Sequence, residues 1–285
     1  MNIRFRPVLL AAILLAMATF AQSQAGLPED KVTPVFGQNI HYVEAGQGPT
    51  VILLHGLGAV KEIWLGNFGA LAAKYHVYAI DQIGFGHSDK PLLEYRITTF
   101  TDFLYGFMQS QNITKASLIG NSLGGWVALD FATQHPEMVD RLVLVDSAGL
   151  SFQAPPLAID LNPASLAATR KMLEAIFYNK AFVTDATVQR IFADHMRNND
   201  GYTIQTTLAG ILAGKQFEDA KLSTVHAPTL IVWGHDDELL PPVYGEKLHD
   251  GIAGSRLVTL DRCGHVPQLE KAAEFNQAVL EFLGK

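Results

Sequence analysis

An α/β fold, with a mostly parallel, doubly wound sheet and an inserted helical lid, is predicted by three observations. Short apolar runs recur along the chain, helical-period segments alternate with them, and one long stretch breaks the alternation. Buried strands alternating with amphipathic helices imply a parallel sheet covered on both faces.

The elements follow in order. NIHYVEAG (39–46) alternates and ends in a glycine turn, as a half-exposed strand does. PTVILLHG (49–56), HVYAID (76–81), KASLIG (115–120), RLVLVD (141–146), TLIVWG (229–234) and SRLVTL (255–260) are short continuous apolar runs. That is the pattern of strands buried on both faces. TTFTDFLYGFMQSQ (98–111), GGWVALDFATQHPEM (124–138) and AAEFNQAVLEFL (272–283) have helical period. From about Gly149 to Ser223 no buried strand occurs, only helix-like pieces such as PASLAATRKMLEAIF and DATVQRIFADHMR. Roughly seventy residues is too long for a connection, so 149–223 is predicted to be a lid inserted between core segments 26–148 and 224–285.

Residues 1–25 are expected to be a secretory signal: Arg4 and Arg6, an apolar run from Val8 to Ala21, then small Ser23 and Ala25. The run is shorter than the ~20 residues that span a bilayer. Cleavage after Ala25, or alternatively Ala21, would leave an exported, periplasmic or secreted protein without a stable membrane anchor. The composition, 48% hydrophobic and 17% charged, supports a large core. A net charge of −7 argues against a nucleic-acid partner, which needs a basic surface. Cys263 is the single cysteine, so no internal disulfide forms, and its expected role is that of a small apolar filler. Oligomeric state is not legible.

Ligands in open α/β sheets bind at the carboxyl ends of the strands. There the chain carries His55-Gly56-Leu57-Gly58, Asp81, Ser122, Asp146, Asp237 and His265. Ser122 lies in Gly120-Asn121-Ser122-Leu123-Gly124, with a strand before and a helix after, the context of a nucleophile elbow. A serine hydroxyl needs a base to take its proton. Among ten histidines, His265 is placed best, in the loop after the last strand, with His235 as rival. A carboxylate must hold that imidazole in one tautomer. Asp237 is expected to do so, with Asp146 as competitor, while Asp81 and Asp89 hold their own loop. The amides of Leu57 and Leu123 are the expected oxyanion donors. His55, Gly56, Asn121 and Val266 are candidates for the substrate pocket.

LLHGLG, DQIGFGHSDKP, GNSLGGWVALDFA, WGHDDELLPP and CGHVPQLEKAAEFN, in this order, resemble the α/β-hydrolase superfamily over essentially the whole mature length. The resemblance implies the triad Ser122, Asp237, His265. It is similar to two branches, carboxylesterases and the hydrolases that cleave carbon–carbon bonds of ring-fission products. The latter usually have a Gly-Pro-Gly-like stretch after the first His-Gly, a tryptophan after the base and a lid arginine. Here Leu57-Gly58-Ala59-Val60 follows Gly56 and Val266 follows His265, while Arg190 falls in roughly the right region. The expected activity is therefore hydrolysis of a small, apolar carboxylic ester. The alternatives are carbon–carbon hydrolysis of a ring-fission dienoate, a perhydrolase or haloperoxidase-like use of the same triad, and a binding protein without catalysis. No metal-ligand spacing or phosphate-binding glycine loop occurs, so no metal or cofactor is implied.

Overall fold

The structure, a computed structural model, describes residues 28–151, 159–214 and 216–285. The expected signal peptide, and residues 152–158 of the expected lid, lie outside them.

Eight strands form one sheet among the described residues: β1 (Lys31–Val35), β2 (Gln38–Ala45), β3 (Thr50–Leu54), β4 (His76–Ile80), β5 (Ala116–Asn121), β6 (Val139–Val145), β7 (Thr229–Gly234) and β8 (Arg256–Leu260). Their order is β1-β2-β4-β3-β5-β6-β7-β8. Strands β3 to β8 run parallel, and β1 and β2 are antiparallel additions at one edge. All seven strand runs read from the sequence are present. β1 carried no sequence expectation. It is a half-exposed edge strand containing Pro34, and it pairs with β2 across a two-residue turn, Phe36-Gly37, with both φ positive.

The apolar runs read as they do because successive side chains serve two different cores. Ile52, Leu54, Leu118, Leu142, Leu144, Ile231 and Trp233 pack on one face of the sheet. Val51, Leu53, Ile119, Val143, Val145, Leu230 and Val232 pack on the other. Helices α2 (Ile97–Ser110) and α3 (Leu123–Gln134) bury Phe100, Leu104, Phe107, Trp126 and Phe131 against the first face. Helices α1 (Leu65–Ala72) and α9 (Ala272–Leu283) bury Phe68, Leu71, Phe275 and Val279 against the second.

Between β6 and β7 the described residues contain α4 (Leu166–Ile176), α5 (Asp185–Asn198) and α6 (Gly201–Leu212), and no strand. Ser165 and Thr184 cap α4 and α5 through their hydroxyls. Leu173, Phe177, Val183 and Val188 of this helical segment form a separate apolar cluster with Val266. Helices α7 (Val243–Gly251) and α8 (Pro267–Glu270) flank β8. No helix of the described residues is long and apolar enough to cross a membrane.

Candidate active site

Because β3 and β5 to β8 are parallel neighbours, the loops leaving them emerge along one edge in sheet order. That order is the Gly56–Leu57 loop, Ser122, Asp146, Asp237 and the His265 loop.

Ser122 sits between β5 and α3 at φ 54°, ψ −117°, a strained conformation for a residue with a β-carbon. Its own backbone is tied down: the amide donates to Val145 O at 2.9 Å, and the carbonyl accepts from the Ala148 and Trp126 amides. The turn closes only without neighbouring side chains. A β-carbon at Gly120 would lie 2.1 Å from Gly124 O, and one at Gly124 would lie 2.3 Å from Leu54 O. Ser122 remains partly accessible, at the start of α3, where the helix dipole favours negative charge.

His265 and Asp237 meet, although they belong to different loops. His265 Nδ1 and Asp237 Oδ2 are 2.7 Å apart and buried. The other carboxylate oxygen, Oδ1, accepts from the Leu239 and Leu240 amides at 2.8 and 2.9 Å. Three donors therefore fix the carboxylate. The histidine is brought across the sheet edge by Asn121, whose Nδ2 donates to His265 O and to Val145 O, both at 3.2 Å. Since Asn121 precedes Ser122, this clamp sets the histidine loop beside that serine. His265 Nε2 is buried with no hydrogen-bond partner among the described residues, so Ser122 Oγ is not bonded to it here. Such bonds commonly tighten only when substrate is bound.

The Gly56–Leu57 loop also arrives at the serine. A β-carbon at Gly56 would lie 3.2 Å from Ser122 Cβ. The Leu57 and Leu123 amides have no acceptor among the described residues.

The remaining sequence candidates sort differently. His55 is fully buried, with Nδ1 against Gly56 O at 2.8 Å and Nε2 accepting from the Gln82 amide at 3.0 Å. Burial lowers its pKa, and both ring nitrogens are engaged, so it braces the loop instead of facing a pocket. Asn121 likewise ties loops together. Val266 packs with the helices of 159–214. His235 is an exposed loop residue, and Asp81 and Asp89 hold their loop. Arg190 is exposed on α5.

Sequence reasoning missed Glu270. Its Oε2 accepts from the Gly264 and Tyr178 amides and its Oε1 from the Asn179 amide. His265 N also donates to Ile176 O at 2.8 Å. Together these bonds strap the end of α4 to the histidine loop. No local pattern marks Glu270, because residues 178 and 179 are far away in sequence.

The family described by the alpha/beta hydrolase fold matches residues 49–272, most of the chain. The chain belongs to the α/β-hydrolase fold family. The 2-hydroxy-6-oxo-6-phenylhexa-2,4-dienoate hydrolase of Comamonas testosteroni is 33% identical over 261 residues, covering 86% of this chain and 91% of that one. A meta-cleavage product hydrolase structure from Pseudomonas fluorescens superposes with a TM-score of 0.82 at 28% identity, over 89% of this chain and 97% of its own. A crystal structure of a membrane phospholipase A, described as a bacterial virulence factor, gives a TM-score of 0.82 at 29% identity. It covers 96% of this chain and 91% of its own.

Proposed function

We propose that this α/β hydrolase works through an acyl-enzyme on Ser122, and that the bond it breaks is a carbon–carbon bond of a 2-hydroxy-6-oxo-dienoate. The serine mechanism is carried by the buried His265–Asp237 bond together with the Asn121 clamp beside Ser122. The substrate class is supported by the 33% identical dienoate hydrolase.

A 2-hydroxy-6-oxo-dienoate contains no ester, so its hydrolysis must break the bond between the 6-ketone and the adjacent carbon. The dienol first tautomerises, losing its 2-hydroxyl proton and gaining one at that adjacent carbon, and so becomes a 2,6-diketone. Ser122 Oγ then attacks the 6-ketone while His265 Nε2 takes its proton, and the Leu57 and Leu123 amides hold the oxyanion. As the tetrahedral intermediate collapses, the carbon–carbon electron pair leaves as an enolate conjugated with the 2-keto group. His265 returns its proton to that leaving group, then activates the water that frees the acid.

Ester hydrolysis is the second reading. The packing next to the base is apolar: Val266, which follows His265 in the chain, is buried with Leu173 and Phe177. Arg190, the lid cation that a carboxylate-bearing dienoate would call for, is exposed on α5. The similarity to the phospholipase A structure, across 96% of this chain, points the same way. Export with cleavage after Ala25 belongs to this proposal as well, on the order of residues 1–25. It is checked by the mass of the mature protein.

The deciding experiment compares purified protein on 2-hydroxy-6-oxo-6-phenylhexa-2,4-dienoate and on short and long p-nitrophenyl esters. A kcat/KM for the dienoate well above that for every ester is expected. Ester turnover with no dienoate turnover would replace this reading by the second.

A further inference from the structure

A second carboxyl group lies behind the His265–Asp237 pair, and the mechanism above does not use it. Asp146 directly follows β6, between the strands that deliver Ser122 and Asp237. It is fully buried and has φ 40°. Its amide donates to Val232 O at 3.0 Å, and its Oδ1 accepts from the Gly234 amide at 2.9 Å. Its Oδ2 is buried and no donor among the described residues reaches it. Asp146, Asp237 and His265 each present an atom within 4.8 Å of the others.

An ionised carboxylate with an orphaned oxygen in such a place is costly, and a second carboxylate beside it makes it more so. Asp237 is the member whose charge is supported, by two amides and the imidazole. The proton therefore belongs on the other.

We propose that Asp146 is a positioning residue that stays neutral at working pH and donates its Oδ2 proton to the Asp237 carboxylate. Asp237 is then held from both sides, by the imidazole and by a carboxylic acid, and its charge stays fixed against His265. The inference rests on the serine mechanism above. The groups facing Asp146 are Asp237, His265, Cys263 and Glu270, with Lys271 acting on Cys263. Burial, and then Asp237, hold the Asp146 carboxyl well above the usual carboxylate range. Asp146 binds its proton more tightly folded than unfolded, so its contribution to stability is complete at acid pH. That contribution falls as pH rises from the usual carboxylate range through the raised value. Ionisation of Asp146 also sets two negative charges against each other and loosens the histidine's orientation.

The test follows the rate at which a fluorophosphonate inactivates wild type, Asp146→Asn and Asp146→Val, from neutral to strongly alkaline pH. Asparagine reproduces the neutral donor and has no proton to lose, whereas valine removes the donor. Expected are an alkaline fall in wild type that Asp146→Asn lacks, and a neutral-pH rate about tenfold to a hundredfold lower in Asp146→Val, largely restored by Asn. A loss in Asp146→Asn as deep as in Asp146→Val, or identical pH profiles in all three proteins, overturns the proposal. The second measurement needs no activity. The infrared spectrum of wild type minus Asp146→Asn at neutral pH should contain the C=O band of a protonated carboxylic acid. Its absence also overturns the proposal, whereas a protein that carries the band but is never labelled refutes the serine mechanism alone.

Discussion

At Ser122 the backbone holds a conformation that the sequence tolerates only because its neighbours are small. A β-carbon at Gly124 would meet Leu54 O, and one at Gly120 would meet Gly124 O, both far inside van der Waals contact. Gly124→Ala must displace backbone from the centre of the sheet. It is expected to lower stability by about 3 kcal/mol or more, read as a fall in the midpoint of denaturant unfolding. A midpoint equal to wild type would show that the turn has room. Asp237→Asn keeps the shape but loses the charge and the tautomer control, so a drop of ~10⁴-fold in turnover is expected with the protein still folded. Asp146→Asn should fall far less. The reverse order would move the orienting role to Asp146. GxSxG, the late histidine and the acid loop were legible because each follows an apolar strand run. The choice between Asp237 and Asp146 was not settled locally, because both carboxyls reach the same place and only packing shows which one bonds the imidazole.

Elements are held to one another by polar pairs that sequence patterns do not announce. Lys61, entering the turn before α1, is buried and ion-paired to buried Asp81 at 2.8 Å, with Asp30 at 3.0 Å from the same ammonium. Burial pulls that ammonium's pKa down, but Asp81, together with Glu62 and Asp30, more than offsets this and holds it raised. Asp81→Asn leaves the cation without its buried partner and should cost about 3–5 kcal/mol in chemical denaturation. A loss below 1 kcal/mol would show that Asp30 suffices. Glu270 strips to a similar logic across a longer span, since it ties the end of α4 to the histidine loop. In Glu270→Ala, faster hydrogen exchange at the Tyr178 and Asn179 amides is expected, together with a lower kcat. Unchanged exchange would mean that the His265 N–Ile176 O bond carries the strap. Helices α2, α3, α4, α5 and α9 were legible from their period, whereas α1, with Gly66 and Gly69 inside it, offers no such signal. β1 escaped because an exposed edge strand with an internal proline lacks the buried pattern.

Across the whole molecule, a sheet with an apolar core on each face explains both the continuous strand runs and the absence of any need for a disulfide. Cys263 is buried in the second of these cores, and burial, with Asp146 and Glu270 nearby, pushes its thiol up. Ellman's reagent should therefore react with it only after unfolding, and reductant should leave Tm unchanged. Fast reaction in native protein would place the thiol at the surface. The fold was readable because it rests on periodicity. The reacting bond was not, because it depends on which side chains of the segment between β6 and β7 face the serine. All of it depends on Ser122 being the atom that attacks. The most direct measurement is the site of a fluorophosphonate adduct, located by peptide mass spectrometry in wild type and in His265→Gln. A single adduct on Ser122, formed far more slowly without the imidazole, is the expected result. An adduct elsewhere, or equal labelling in both proteins, would contradict the account.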